Sequence, residues 1–331
     1  MSQVSATVTK NLNASAGKRR DGMSLSTFSA FKRVRAPGST AFDAEQLRRL
    51  QAVELEIAKD VFAFCREKGL VCMLAGGSAL GALRHGGFIP WDDDMDLLMP
   101  RADYERFRRE FAASFADRYW VRDAGRSADH VLGSMQIRRK GTSVVTREDV
   151  VTGNRECGAF IDVFIVENTF DNSVLRGLHG FGSLTLGFLY SCRKTFSERR
   201  FLKALGASAP DLRRTLRVKS LIGFFTAFMG VNRWVRLWNA WNAVCREHRS
   251  DHVTIPVGRA HFFGELGLRK ELCETREITF EGMSMRCPSG LEAYLTRLYG
   301  PGYMTPPPES ARERHVVFEP LVLPPAVGLA L

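Results

Sequence analysis

The sequence predicts an α/β fold, on three observations. Leu70-Val71-Cys72-Met73-Leu74-Ala75 is a short apolar run closed by Gly76-Gly77, the pattern of a buried strand. Ala159 to Val166 is a second such run, apolar throughout except for Asp162. Ahead of both, Leu47, Leu50, Val53, Ile57, Val61 and Phe64 recur at steps of three and four, the helical spacing. Asp43 is placed to cap that helix and Gly69 to end it. Ser78 reads as the cap of a short helix through Leu80, Leu83 and Arg84. Asp92 to Met99 reads as a strand closed by Pro100, and Ala102 to Phe111 as an amphipathic helix. Tyr119–Val121, Leu132–Ile137 and Ser143–Val145 read as further short strands. Glu277 to Met283 reads as extended, with Pro288 opening a helix that Gly300 stops.

Charge divides the chain. Of 331 residues, 47 are Lys or Arg and 36 Asp or Glu, a net charge of +11 that favours anionic partners. Residues 1–40 hold seven bases and one acid without a periodic apolar pattern, and are expected to be a disordered basic tail. Residues 174–219 hold ten bases and two acids, which leaves the rest slightly acidic and argues against a body built to wrap DNA. The expected organisation is the tail 1–40, a catalytic core over 41–171, a basic helical insertion over 172–250, and a C-terminal part of the core over 251–331 with a Pro-rich end. Seven scattered cysteines without a Cys-x-x-Cys pair read as reduced thiols. The longest apolar runs, Gly180–Cys192 and Leu221–Val231, fall short of a bilayer span. A cytoplasmic location, with peripheral contact on the inner face of the cytoplasmic membrane as its variant, is the resulting expectation.

The block from Ala75 to Pro100 carries the chemistry. On a strand, residues two apart point the same way, so Asp92, Asp94 and Asp96 are expected on one face and Asp93 on the other. Neighbouring carboxylates repel and raise one another's pKa unless a cation compensates, and hard oxygen ligands select Mg²⁺ or Mn²⁺. Gly76, Gly77 and Ser78 open a helix whose free amides suit a phosphate. Asp162 is a lone charge in mid-strand, costly unless it joins the same site. Arg84 and His85 are polar residues of the Ala75–Pro100 block with two readings, steadying a leaving phosphate or making ordinary loop hydrogen bonds.

The run from Gly76 to Asp96, Gly-Gly-Ser-Ala-Leu-Gly-Ala-Leu-Arg-His-Gly-Gly-Phe-Ile-Pro-Trp-Asp-Asp-Asp-Met-Asp, resembles the signature of the LicD/fukutin-related family, within the polymerase-β-like nucleotidyltransferase superfamily. Ile161-Asp162-Val163-Phe164 resembles its second motif, and Tyr299 to Pro307 followed by His315 its C-terminal motif. Gln136 departs from the pattern, standing where a basic residue is expected before Arg138 to Thr142. The resemblance implies a nucleotidyltransferase core, a mixed sheet flanked by helices, in which Asp94, Asp96 and Asp162 hold the metal. Arg138 would then be a phosphate contact. It further implies transfer of phosphocholine, or a related phospho-alcohol, from CDP-choline or a similar donor to a surface glycan that can be lipid-linked. Two other functions share the carboxylates: transfer of a nucleotide from an NTP with release of pyrophosphate, and non-catalytic binding of a nucleotide or glycan.

Three further signals carry less. Cys245, His248 and His252 have a spacing that could hold zinc, against incidental histidines at a helix end, the preferred reading. The Phe- and Trp-rich stretch Leu221–Trp241 is expected to form a helix pair over the catalytic sheet, with a membrane interface as the alternative. Nothing in the basic tail resembles a nucleic-acid reading module.

Overall fold

The computed structural model describes residues 39–205, 210–247, 249–309, 312 and 317–324. Most of the tail expected over 1–40 lies outside them. Its last two residues form β1 (Ser39–Thr40). Helix α1 (Ala44–Lys68) starts where the sequence puts it: the Asp43 carboxylate accepts the Glu45 and Gln46 amides, and the Gln46 side chain accepts the Asp43 amide. This reciprocal cap satisfies amides that have no helical partner. Gly69 ends the helix in a left-handed conformation, φ 66°.

The chain continues through β2 (Met73–Leu74), α2 (Gly76–His85), β3 (Asp96–Pro100), α3 (Arg101–Ser114), β4 (Tyr119–Arg122), β5 (Met135–Arg139), β6 (Ser143–Val145), α4 (Arg147–Thr152) and β7 (Phe160–Asn168). The central sheet has the order β2-β3-β7-β5-β4. Its β3–β7 pairing is parallel, and its other pairings are antiparallel. This is the mixed, helix-flanked α/β architecture that the sequence predicts. The apolar stripe of α1 is buried, and Phe64 meets Phe107 and Phe111 of α3 edge-on at 5.8 and 5.4 Å. Burying one such ring stabilises the fold by about 1.5–3 kcal/mol.

After β7 come α5 (Ser173–Ser197), α6 (Arg199–Leu205), α7 (Pro210–Phe225) and α8 (Val231–Asn242). Trp238 packs over Gly187 and Trp241 over Gly182, while Gly223 of α7 lies against Cys192 and Phe196. Then β8 (His252–Thr254) extends from β7, followed by α9 (His261–Gly264), β9 (Gly267–Leu268) and α10 (Arg269–Leu272). A hairpin of β10 (Thr275–Phe280) and β11 (Met283–Pro288) leads to α11 (Leu291–Tyr299), and β12 (Val317–Val322) pairs with β1 and β6.

Three local expectations are corrected. Ser78 caps nothing: α2 already begins at Gly76, and the Ser78 hydroxyl accepts the Asp96 amide at 2.9 Å. The acidic strand begins only at Asp96, so Asp92, Asp93 and Asp94 precede it in irregular chain. Pro288 ends β11 rather than opening a helix, because its carbonyl side belongs to the hairpin register with Thr275.

Candidate active site

Parallel pairing of β3 with β7 sets Asp96 directly opposite Asp162. The backbone fixes that register on both sides: the Asp162 amide donates to the Met95 carbonyl and the Ala75 amide to the Asp96 carbonyl, each at 2.9 Å. Helix α2 starts one residue after that second bond. Its cap residue, Ala75, is extended and offers no side-chain acceptor, so the start of α2 turns to the acidic segment without a cap of its own. Two glycines make the approach possible. A Cβ on Gly76 would stand 3.1 Å from Asp96 Oδ2, and one on Gly77 only 2.6 Å from Asp92 Oδ2. Gly76 also has φ +45°, a conformation that disfavours side chains.

The carboxylates of Asp92, Asp93 and Asp94 offer oxygens that lie within 4.8 Å of one another. Asp162 sits beside them, its Oδ1 accepting the Ser134 hydroxyl at 2.7 Å. Burial pushes the Asp162 carboxyl up to about 6 and the charge of Asp94 adds to the rise, while Ser134, Gln136 and Arg138 oppose it. Glu54 of α1 lies behind the cluster, 1 % exposed, with Oε2 lacking a hydrogen-bond partner. Its carboxyl is raised well above the ordinary range by burial and then by Asp94, Asp93, Asp92 and Asp96. One buried acid thus feels four others, a field that a divalent cation with oxygen ligands would neutralise. Of the ligands expected from sequence, Asp94 belongs to the group whose oxygens close on one another, together with Asp92 and Asp93, which the sequence reading left out; Asp96 and Asp162 flank that group. The expected split that turned Asp93 away from Asp92 and Asp94 fails, because these three do not lie on a strand.

Arg84 and His85 end α2 on the same side. Arg84 Nε donates to His85 Nε2 at 3.0 Å, and Arg84 Nη1 to the Tyr303 carbonyl at 2.9 Å. Burial lowers the Arg84 guanidinium below its ordinary range, and Asp92 pulls it back. His85 is lowered by burial and by Arg84, so it is neutral near pH 7. The C-terminal motif reaches the site as well, Tyr299 Oη lying near Gly76, and Tyr294 Oη of the preceding α11 accepts the Gly76 amide at 3.1 Å. His315 lies outside the described residues.

Arg138 does not face the cleft. Only 2 % exposed, it donates to Gln136 Oε1 and to Asp149 Oδ2 at 3.0 Å, and it lies over the Phe160 ring. A guanidinium already engaged by a buried carboxylate and an amide has no fork left for a phosphate, so the phosphate-contact role expected for it is corrected. Its place is behind Asp162: Gln136 is the register partner of Asp162 and lowers its carboxyl, while Arg138 holds Gln136.

His252 of the zinc candidate bonds Asp171 at 2.8 Å, Cys245 is buried, and His248 lies outside the described residues. Among the described residues, the one group with metal-ligand geometry is Asp92–Asp93–Asp94.

Glu54, Gln51 and Ser134 were missed from sequence. Gln51 Nε2 donates to the Asp92 carbonyl at 2.9 Å, which ties α1 to the acidic segment. The signal was available for two of them: Gln51 and Glu54 follow Leu47 and Leu50 by four on the face of α1 that turns inward. Ser134 had none, since only the strand register brings it to Asp162.

Residues 69–169 match the family described as LicD/FKTN/FKRP, nucleotidyltransferase domain. The matched span runs from the end of α1 through β7 and contains both glycines and all five aspartates of the site. The chain is similar to a curated protein of Haemophilus influenzae, lipopolysaccharide cholinephosphotransferase LicD, at 24% identity over 291 residues. That similarity covers 84% of this chain and 98% of the relative.

Proposed function

From the chain's membership of the LicD/FKTN/FKRP family, through its nucleotidyltransferase domain at residues 69–169, we propose that it transfers phosphocholine from CDP-choline to a hydroxyl of lipopolysaccharide or its precursor glycan. The observation that supports this reading is the gathering of five aspartates, Asp92, Asp93, Asp94, Asp96 and Asp162, at the start of α2. A diphosphate donor needs both halves of that arrangement. The α2 amides and Arg84 receive phosphate oxygens, and the carboxylates hold the cation. Bound there, Mg²⁺ or Mn²⁺ supplies charge neutralisation on the donor phosphates.

The acceptor hydroxyl attacks the choline-bearing phosphorus in line, its new P–O bond forming as the bond to CMP breaks. In this reading Asp162, held by Ser134, takes the hydroxyl proton. Gln136 and Arg138 keep its carboxylate oriented from the buried side. The products are CMP and a phosphodiester, so the proton from the hydroxyl is the one released.

The test is ³¹P NMR of the protein with Mg²⁺ and, in separate tubes, CDP-choline, CDP-ribitol, CTP and ATP. The expected result is slow hydrolysis of CDP-choline to CMP and phosphocholine, reduced to a few per cent or less in a folded Asp94→Asn variant. Turnover of CDP-ribitol instead would change the phospho-alcohol and keep the chemistry. Pyrophosphate from CTP or ATP would make the protein a nucleotidyltransferase. Silence in every tube, persisting after a lipopolysaccharide extract is added, would leave a binding role.

A further inference from the structure

The outer face of α7 and the turn after it expose a cluster of large apolar side chains. Leu221, Phe224, Phe225 and Phe228 are 62, 59, 71 and 76 % exposed. They sit at helical spacing with Arg214 and Arg217, which are also exposed, so one face grades from basic to aromatic. Phe224 touches Phe196 of α5 at 5.9 Å, and the Arg199 guanidinium lies 4.2 Å from the Phe196 ring, so the basic border continues onto the neighbouring helices. Among the described side chains of residues 193–230 the one acid is Glu198, and it is turned inward against Arg147 and Lys194. Among the described side chains, no acid on this face offsets its positive charge. By contrast Trp234, Val235 and Trp238 of α8 are buried, so the stretch is half helix packing and half open surface.

The geometry points to a membrane-docking surface: the α7 face inserts its phenylalanines among the acyl chains of an anionic lipid surface while its arginines meet the headgroups. Charge selects that occupant. A second copy of the chain would set Arg214, Arg217 and Arg199 against their own kind. Residues 1–38, with seven bases and one acid, carry the same sign and are repelled as well. A sheet of negative headgroups over hydrocarbon supplies both complements, and the phenylalanines stand out from a helix end rather than lining a groove. No helix among the described residues is long and apolar enough to cross a membrane, so the contact is interfacial. The inference deepens the proposed function, because a lipid-anchored glycan would then be met at its own surface.

Co-sedimentation of the full chain with vesicles tests it. Phosphatidylcholine vesicles with about 30 % phosphatidylglycerol are compared with pure phosphatidylcholine at low and high salt. Binding is expected to the anionic vesicles, and to fall by about tenfold or more in Phe225→Ser/Phe228→Ser. Arg214→Glu/Arg217→Glu should lose the preference for anionic lipid. Circular dichroism identifies a variant that misfolds, and Leu221→Ser/Phe225→Ser then takes its place. Binding that survives the phenylalanine changes would assign the interaction to the basic tail and overturn the inference. So would absence of binding to anionic vesicles at low salt, or a wild-type dimer in light scattering that these changes make monomeric. Hydrolysis of CDP-choline in solution by the same variants separates this question from the proposed function: it should persist when vesicle binding is lost.

Discussion

The carboxylate end of β3 and β7 and the outer face of α7 depart from ordinary protein structure in opposite directions. In the first, charge is placed in partly buried space, and residues from α1, α2, β5 and α11 converge to support it. In the second, aromatic side chains are left in water, and among the described residues their ring neighbours, apart from one another, are Phe196 and Trp234. The difference teaches where each region finds its compensation. The acidic cleft is held in place by its own fold, and a bound cation would offset the charge gathered there. The helical face is complete as a fold and lacks a whole surface.

The sharpest test of that contrast is Arg138, the base that the sequence sends to the phosphate and the structure sends inside. If it is part of the buried support, Arg138→Met leaves Asp149 buried without its cation and lowers stability by about 3–5 kcal/mol, measured by urea unfolding. Adding Asp149→Asn should recover part of that loss, since the orphaned charge is removed. A variant of nearly unchanged stability with weakened donor binding would break the contrast and return Arg138 to the cleft.

How much of this was legible differs between the two regions for physical reasons. The strand–glycine–helix unit, the acidic run and Asp162 could all be read, because local periodicity and an isolated charge in an apolar run are properties of the chain itself. Where α2 begins could not. Gly76 takes a positive φ and its amide donates to the Tyr294 hydroxyl, a contact that spans 218 residues of chain. The start of β3 was misplaced by four residues for a similar cause: pairing with β2 and β7 reaches only as far as Asp96. The role of Arg138 was hidden because its partners, Gln136 and Asp149, are assembled by a strand and a helix cap. For α7 the pattern was plain and its burial was not. A helical stripe of Phe and Leu reads the same whether a sheet or a bilayer is to cover it.

A smaller effect sharpens the view that support for the cleft reaches its far side. Glu265 follows α9, buried, its Oε1 accepting the Ala260 amide at 2.9 Å; burial pushes its carboxyl up to about 7. Its charge also raises Tyr294, the residue that holds Gly76. With the folded pKa above the unfolded value, the unfolded chain gives up this proton first. Stability is therefore greatest below about pH 4.5 for this group, falls as pH rises towards 7, and stays at its lower level above. Glu265→Gln should remove that slope and stabilise the protein at pH 8, as thermal unfolding across the range would register. An unchanged pH profile in the variant would place the titration elsewhere.

The smallest effect separates the two regions most directly, because it compares one residue type in both. Phe107 is fully buried between α3 and α1, and Phe107→Ala should cost about 3–5 kcal/mol through lost burial and the cavity left behind. Phe225→Ala removes the same atoms from a ring that water already reaches, and should change stability in solution by no more than about 0.5 kcal/mol. A ring that is dispensable to the fold yet large and apolar has its reason outside the fold. If Phe225→Ala instead cost as much as Phe107→Ala, the α7 face would be part of the packed interior, and its phenylalanines would have no surface left to offer a membrane.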